Sequence, residues 1–244
     1  IMLTSANPGS GKTFITFNLA TSLAIKGKRV IAIDLDLRKG SLSEYAGRPK
    51  AGISDYLVGQ VNRIDEVVIR SDNANLDIIP VGTIPPNPTE LLFAERLEQL
   101  VDNLRKEYDY IFIDCPPSLG LLTVNALVAA DGVIIPIQCE FYALEGVSQL
   151  MKTVELVRRE MNRNLQITGV ILSMFDGRTN LGLQVVQEVK RFFGNKVFKT
   201  VIPKNVRLAE APSYGLSIVD YDPSSKGAKA YKKLADEFVQ REGR

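Results

Sequence analysis

Nine residues near the start of the chain, Ser5-Ala6-Asn7-Pro8-Gly9-Ser10-Gly11-Lys12-Thr13, limit what it can fold into more than any other feature. An apolar run precedes them, and a helical pattern over 12–25 follows. A glycine-rich turn between a strand and a helix lets successive backbone N–H groups point inward, where a Cβ would obstruct. The helix start adds its positive dipole end. Such a turn is built to cradle phosphate oxygens. Lys12 then supplies a point charge to the β- and γ-phosphates, and the Thr13 hydroxyl is a magnesium ligand. The strict pattern asks for glycine six residues before Lys12, and that position holds Ala6. The expected phosphate-binding run is Pro8, Gly9, Ser10, Gly11, Lys12, Thr13 and Phe14.

A turn of this kind needs a sheet whose strand ends face one ligand. Apolar runs at 1–5, 30–33, 76–80, 110–113, 133–137, 167–174 and 197–202 read as buried strands. Helical patterns at 12–25, 54–58, 88–107, 144–162, 182–193 and 225–241 separate them. Alternation of this kind predicts an α/β fold: a doubly wound, mostly parallel sheet with helices on both faces. No repeat or linker divides it, so 1–244 reads as one domain. The chain opens inside its first strand pattern, which implies an upstream segment. The last helix sets Tyr231, Leu234 and Phe238 on one face, a pattern for docking on a core rather than on a membrane.

Two further strands end in carboxylates. The run at 30–33 leads into Asp34-Leu35-Asp36-Leu37-Arg38, where alternation points Asp34 and Asp36 to the same side. The run at 110–113 ends in Asp114-Cys115-Pro116-Pro117, the pattern of an aspartate that orients magnesium. Thr13 and Asp114 are the expected metal residues and Lys12 the expected catalytic cation, while Asp34 and Asp36 are costly together unless a cation or ordered water lies between them.

The chain has no histidine, which excludes Ser-His-Asp chemistry and histidine metal sites. Two cysteines read as reduced core thiols. No apolar run approaches the roughly 18 residues of a membrane span. Net charge is only +2, yet residues 151–210 carry eleven basic and five acidic side chains. That stretch is either a set of solvated helix faces or a polyanion-binding surface.

The three strand ends together resemble the ParA/MinD superfamily of deviant-Walker ATPases. Residues 1 to about 105 are similar to the catalytic domains of bacterial protein-tyrosine kinases. The matching segments are the phosphate loop, Ile33-Asp34-Leu35-Asp36-Leu37-Arg38-Lys39-Gly40, Gly52-Ile53-Ser54-Asp55-Tyr56-Leu57 and Pro85-Pro86-Asn87-Pro88-Thr89-Glu90-Leu91-Leu92. From about Tyr108 the chain resembles the Soj/ParA partition ATPases, through Ile113-Asp114-Cys115-Pro116-Pro117-Ser118, Cys139-Glu140-Phe141-Tyr142-Ala143-Leu144-Glu145-Gly146, Arg178-Thr179-Asn180-Leu181-Gly182 and Ile202-Pro203-Lys204-Asn205-Val206-Arg207. The change of resemblance implies a mosaic with a junction near 105–112.

The partition resemblance implies a cytoplasmic, magnesium-dependent ATPase that dimerises on ATP, meets a ParB-type partner and holds DNA non-specifically. Arg178, Lys190, Arg191, Lys196, Lys199, Lys204 and Arg207 are the implied DNA contacts. It places Asp34 near magnesium, gives Asp36 the attacking water, and sets Pro203 and Asn205 near the adenine. The family's signature lysine falls at Asn7, which cannot supply that charge, so slow turnover is expected. Two other readings stay open: a tyrosine autokinase, with Tyr214, Tyr221 and Tyr231 as scattered acceptors, and a nucleotide-holding module with little turnover.

Overall fold

A computed structural model describes residues 1–71, 73, 75–84 and 94–243. The elements run β1 (Met2–Leu3), α1 (Lys12–Ile25), β2 (Val30–Asp34), α2 (Ile53–Leu57), β3 (Ile69–Arg70), β4 (Leu76–Ile79), α3 (Ala94–Leu104), β5 (Tyr110–Asp114) and α4 (Leu121–Ala129). They continue with β6 (Gly132–Gln138), α5 (Val147–Glu160), β7 (Gln166–Ser173), α6 (Asn180–Phe193), α7 (Val206–Glu210), α8 (Ile218–Tyr221) and α9 (Lys226–Glu242). Seven strands form one sheet in the order β3-β4-β2-β5-β1-β6-β7. Every pairing is parallel except β3 with β4. The expected doubly wound sheet is therefore present.

Strand alternation sorts the apolar residues into two cores. In β2, Ile31 and Ile33 enter one cluster while Val30 and Ala32 enter the other. In β5, Ile111 and Ile113 face the first, and Tyr110 and Phe112 face the second. Strands covered on both faces cannot show polar alternation, which is why these runs are continuously apolar. The first core is closed by apolar faces of α3, α4, α5 and α6, and the second by α1, α8 and α9.

Helix α1 is buried nearly all round, between the sheet and α9. Its polar residues survive there because they bond backwards: Thr16 donates to the Lys12 carbonyl, Thr21 to Phe17 and Ser22 to Asn18. Asn18 also accepts the Ile218 amide at 2.7 Å, tying α8 to α1. Tyr231, Leu234 and Phe238 of α9 are fully buried, with Phe238 edge-on to Tyr110 at 5.3 Å. No helix among the described residues is long and apolar enough to cross a membrane. Cys115 and Cys139 are buried free thiols.

One expected strand is absent. Residues 197–202 run beside β7 through one isolated bridge, Val197 to Val170, with Phe198 and Ile202 donating to the Val170 and Leu172 carbonyls. The amides of Lys199 and Thr200 go instead to the Glu237 carboxylate on α9, so no ladder forms. Helix α5 starts at Val147 rather than 144, because Gly146 takes a left-handed φ of 72°. The Pro-rich segment 85–92 and the expected helix start at 88 lie outside the described residues. The short edge strand β3 and helices α4, α7 and α8 were not expected from periodicity.

Candidate nucleotide-binding site

The tips of β1, β2 and β5 lie side by side, with Asp34 and Leu3 both in register with Asp114. The loop from Ser5 to Gly11 wraps over these tips and enters α1. Gly9 and Gly11 take φ of 74° and 84°, the left-handed region that a side chain disfavours. A Cβ on Gly9 would meet nothing within 4 Å, so glycine is needed there for backbone conformation, not for lack of protein space.

Inside the loop, Ser5 is a hub that sequence reading did not single out. Its Oγ accepts from Ser10 Oγ at 2.5 Å and from Lys12 Nζ at 3.0 Å, and donates to the Asn7 carbonyl at 2.8 Å. Lys12 is only 7% exposed. Burial lowers its pKa, against the pull of Asp114 and Asp36, which favour the charged form. An ammonium held this deep with a neutral hydroxyl partner is poorly solvated and favours an arriving anion.

Thr13 Oγ1 donates to Asp114 Oδ2 at 2.6 Å. The other oxygen, Asp114 Oδ1, is buried and accepts no hydrogen bond among the described residues. Burial pushes the Asp114 carboxyl up from an ordinary 3.8 to about 8, helped by the charge of Asp34 and opposed by Thr13 and Lys12. An orphaned buried carboxylate oxygen beside a hydroxyl is a hard-oxygen donor pair suited to magnesium. No group of three or more His, Cys, Asp or Glu forms a metal cage among the described residues. That suits an ion held by few protein oxygens together with phosphate and water.

Asp34 is differently placed. Its Oδ2 accepts the Ser43 amide at 2.8 Å and the Ser43 hydroxyl at 2.7 Å, and its Oδ1 accepts the Asp36 amide at 3.1 Å. Both oxygens are thus engaged by protein, which positions the following turn. Burial raises this carboxyl to about 6, against those bonds. Ser43 also accepts the Val81 amide at 2.8 Å, linking the ends of β2 and β4. Asp36 is anchored through Oδ1 by the amides of Arg38 and Lys39 at 3.3 and 3.2 Å.

A mostly apolar cleft of about 460 Å³ adjoins the loop. Gly11 and Phe14 line it from α1, Pro203 and Asn205 from the 202–205 turn, and Ser173 from the end of β7. The buried Asn205 Oδ1 and Ser173 Oγ have no hydrogen-bond partner among the described residues. The structure therefore gathers Lys12, Thr13, Phe14, Asp34, Asp36, Asp114, Pro203 and Asn205 along one sheet edge, with Pro8, Gly9, Ser10 and Gly11 above it. Gln138, which donates to the Gly9 carbonyl at 2.7 Å, was missed; its signal was a polar residue closing an apolar strand.

The basic candidates are not gathered equally. Arg178 pairs with Asp176, and Arg207 with Glu210 and Asp222. Lys190, Arg191, Lys196, Lys199 and Lys204 are exposed and form no salt bridge among the described residues. Of the three late tyrosines, Tyr231 is fully buried and Tyr221 stacks on Tyr214 and donates to Glu210.

Residues 1–167 match the AAA domain family. The chain is 48% identical to the sporulation initiation inhibitor protein Soj of Bacillus subtilis, covering 98% of this chain and 97% of that one. It is 42% identical to the chromosome partitioning protein ParA of Caulobacter vibrioides, covering 96% and 91%. Among solved structures, the septum site-determining protein MinD of Pyrococcus horikoshii, complexed with Mg-ADP, superposes with a TM-score of 0.80 at 27% identity, covering 99% and 97%.

Proposed function

The chain belongs to the Soj/ParA family of chromosome-partitioning ATPases, and from that premise we propose that it binds ATP with magnesium and hydrolyses it slowly. The observation that carries this reading is the buried, unpartnered Asp114 Oδ1 beside Thr13 and Lys12 at three adjacent strand tips. The loop amides and Lys12 hold the phosphates, and Thr13 and Asp114 hold magnesium. When bound, the ion offsets the negative charge of the phosphate oxygens. Asp34 acts through the turn it fixes, keeping Asp36 aimed at the edge. Asp36 Oδ2, which accepts no protein hydrogen bond among the described residues, orients the attacking water. Phosphoryl transfer asks for little beyond such positioning and charge neutralisation. The base lies in the apolar cleft, where Asn205 and Ser173 offer acceptors to an exocyclic amine.

Slow turnover follows from Asn7, an amide where this family's signature cation belongs; loss of a comparable charge costs on the order of 10³-fold in rate. The same observation favours the second reading, a nucleotide-holding module. Release of labelled phosphate from ATP, compared with retention of bound nucleotide, separates the two.

ATP is further proposed to pair two copies of this single-domain chain, in the cytoplasm, and to expose duplex DNA to Lys190, Arg191, Lys196, Lys199 and Lys204. A ParB-type protein is the proposed partner. DNA held through phosphate contacts is released steeply between about 50 and about 200 mM salt. ATP-loaded protein that fails to retain DNA at low salt would contradict this part. The change of motif near 105–112 supports a mosaic origin, which a natural gene carrying the whole sequence would overturn.

A further inference from the structure

The loop's outer side carries two side-chain amides that no phosphate role uses. Gln138, at the end of β6, donates through Nε2 to the Gly9 carbonyl at 2.7 Å. Asn7 donates through Nδ2 to the Tyr142 carbonyl at 3.3 Å. A third contact lies beyond both in chain order. A Cβ on Gly146 would come within 3.1 Å of the Ala6 Cβ, so the connection from β6 to α5 packs closely on the loop. Elsewhere the two segments stand apart, around a hollow of about 260 Å³ lined by Asn7, Pro8, Ser10, Phe141 and Tyr142.

We infer that Asn7 and Gln138 splint the phosphate loop to the β6–α5 connection, so that filling the loop moves the Phe141–Tyr142 pair. The peptide plane gives the physical reason. The carbonyl of Gly9 and the N–H of Ser10 belong to one planar, trans unit and point in opposite directions. Gln138 holds that carbonyl outward, which turns the Ser10 N–H inward before any anion arrives. An anion drawing on that N–H rotates the same plane, and Gln138 and Asn7 carry the rotation across. Phe141 and Tyr142 are 75% and 67% exposed and touch edge-on at 5.0 Å, so little packing resists their displacement. The hollow gives the two segments room to close. Asn7, a departure from the family's lysine, thereby acquires a positioning role of its own.

This inference rests on the nucleotide reading, and its test separates the two. The chain has no tryptophan, so Phe141→Trp supplies a single reporter at an exposed position. Mg·ADP is added to saturation, established by calorimetry, and tryptophan emission is compared with and without it. The same measurement is made with Asn7→Ala and with Gln138→Met in the reporter background, each checked for an unchanged circular dichroism spectrum. The expected result is an emission change in the reporter protein, cut by at least about half in each amide-deleted protein at saturation. Full retention of the change in both deletions overturns the splint. So does a reporter that binds Mg·ADP with no emission change. Absence of binding in the reporter protein removes the nucleotide reading, and the splint falls with it.

Discussion

Replacing Asp114 by asparagine should flatten the protein's loss of stability as pH rises toward about 8 in the absence of ligand. The carboxyl is 1% exposed and pushed to about 8 by burial and by the charge of Asp34, with Thr13 and Lys12 pulling the other way and Asp36 adding to the repulsion. In the unfolded chain it returns to an ordinary 3.8. Between those values the folded state binds one more proton than the unfolded state. Stability from this group is therefore complete below about pH 4 and is lost as pH rises through about 8, at about 1.4 kcal/mol per pH unit. Asp34, raised to about 6, adds to the slope only at the lower end of this window. From about pH 6 to about pH 8 the wild-type protein should lose roughly 2 kcal/mol through Asp114, and Asp114→Asn should not. Urea unfolding followed by far-UV circular dichroism, with chelator and no nucleotide, reads this directly. Equal losses in both proteins would refute the claim that burial of this carboxyl outweighs the pull of Lys12 and Thr13.

Two other substitutions probe the same edge and the core beneath it. Ser43→Ala removes both a hydroxyl donor to Asp34 and an acceptor for the Val81 amide. It should cost about 1–3 kcal/mol in urea unfolding, since the Val81 amide loses its acceptor and Asp34 Oδ2 keeps only the Ser43 amide. Tyr231→Phe should change stability by less than about 0.5 kcal/mol, because the buried hydroxyl has no partner among the described residues and contributes no bond to lose. A loss above about 2 kcal/mol by the same method would mean that hydroxyl is satisfied.

The strands and the phosphate loop were legible because their signals are local. A glycine pair at fixed spacing before Lys-Thr needs no knowledge of the rest of the chain, and neither do apolar runs that end in aspartate. Residues 197–202 misled because β-branched and aromatic residues there serve two cores through one isolated bridge, and Glu237, some forty residues later, takes the amides a ladder would have used. No periodicity carries that information. The site divides in the same way. Lys12, Thr13 and Asp114 could be read from spacing, and the structure brings them together. Ser5, Ser43 and Gln138 could not, because an ordinary serine or glutamine becomes significant only through partners distant in sequence or through the fold of its loop. Asp34 and Asp36 look alike as a pair of strand-end carboxylates. Only tertiary contacts distinguish the one enclosed by Ser43 from the one held at a single oxygen.

The central claim is that three strand tips converge on a magnesium-bound triphosphate, with the buried Lys12 ammonium as the fixed counter-charge. Calorimetric titration of Mg·ATP into wild-type protein and Lys12→Ala, at matched circular dichroism, measures it. A loss of affinity of at least about 100-fold, close to 3 kcal/mol, is expected when a charge-assisted partner is removed from a buried anion site. Equal affinity in the two proteins would contradict the account.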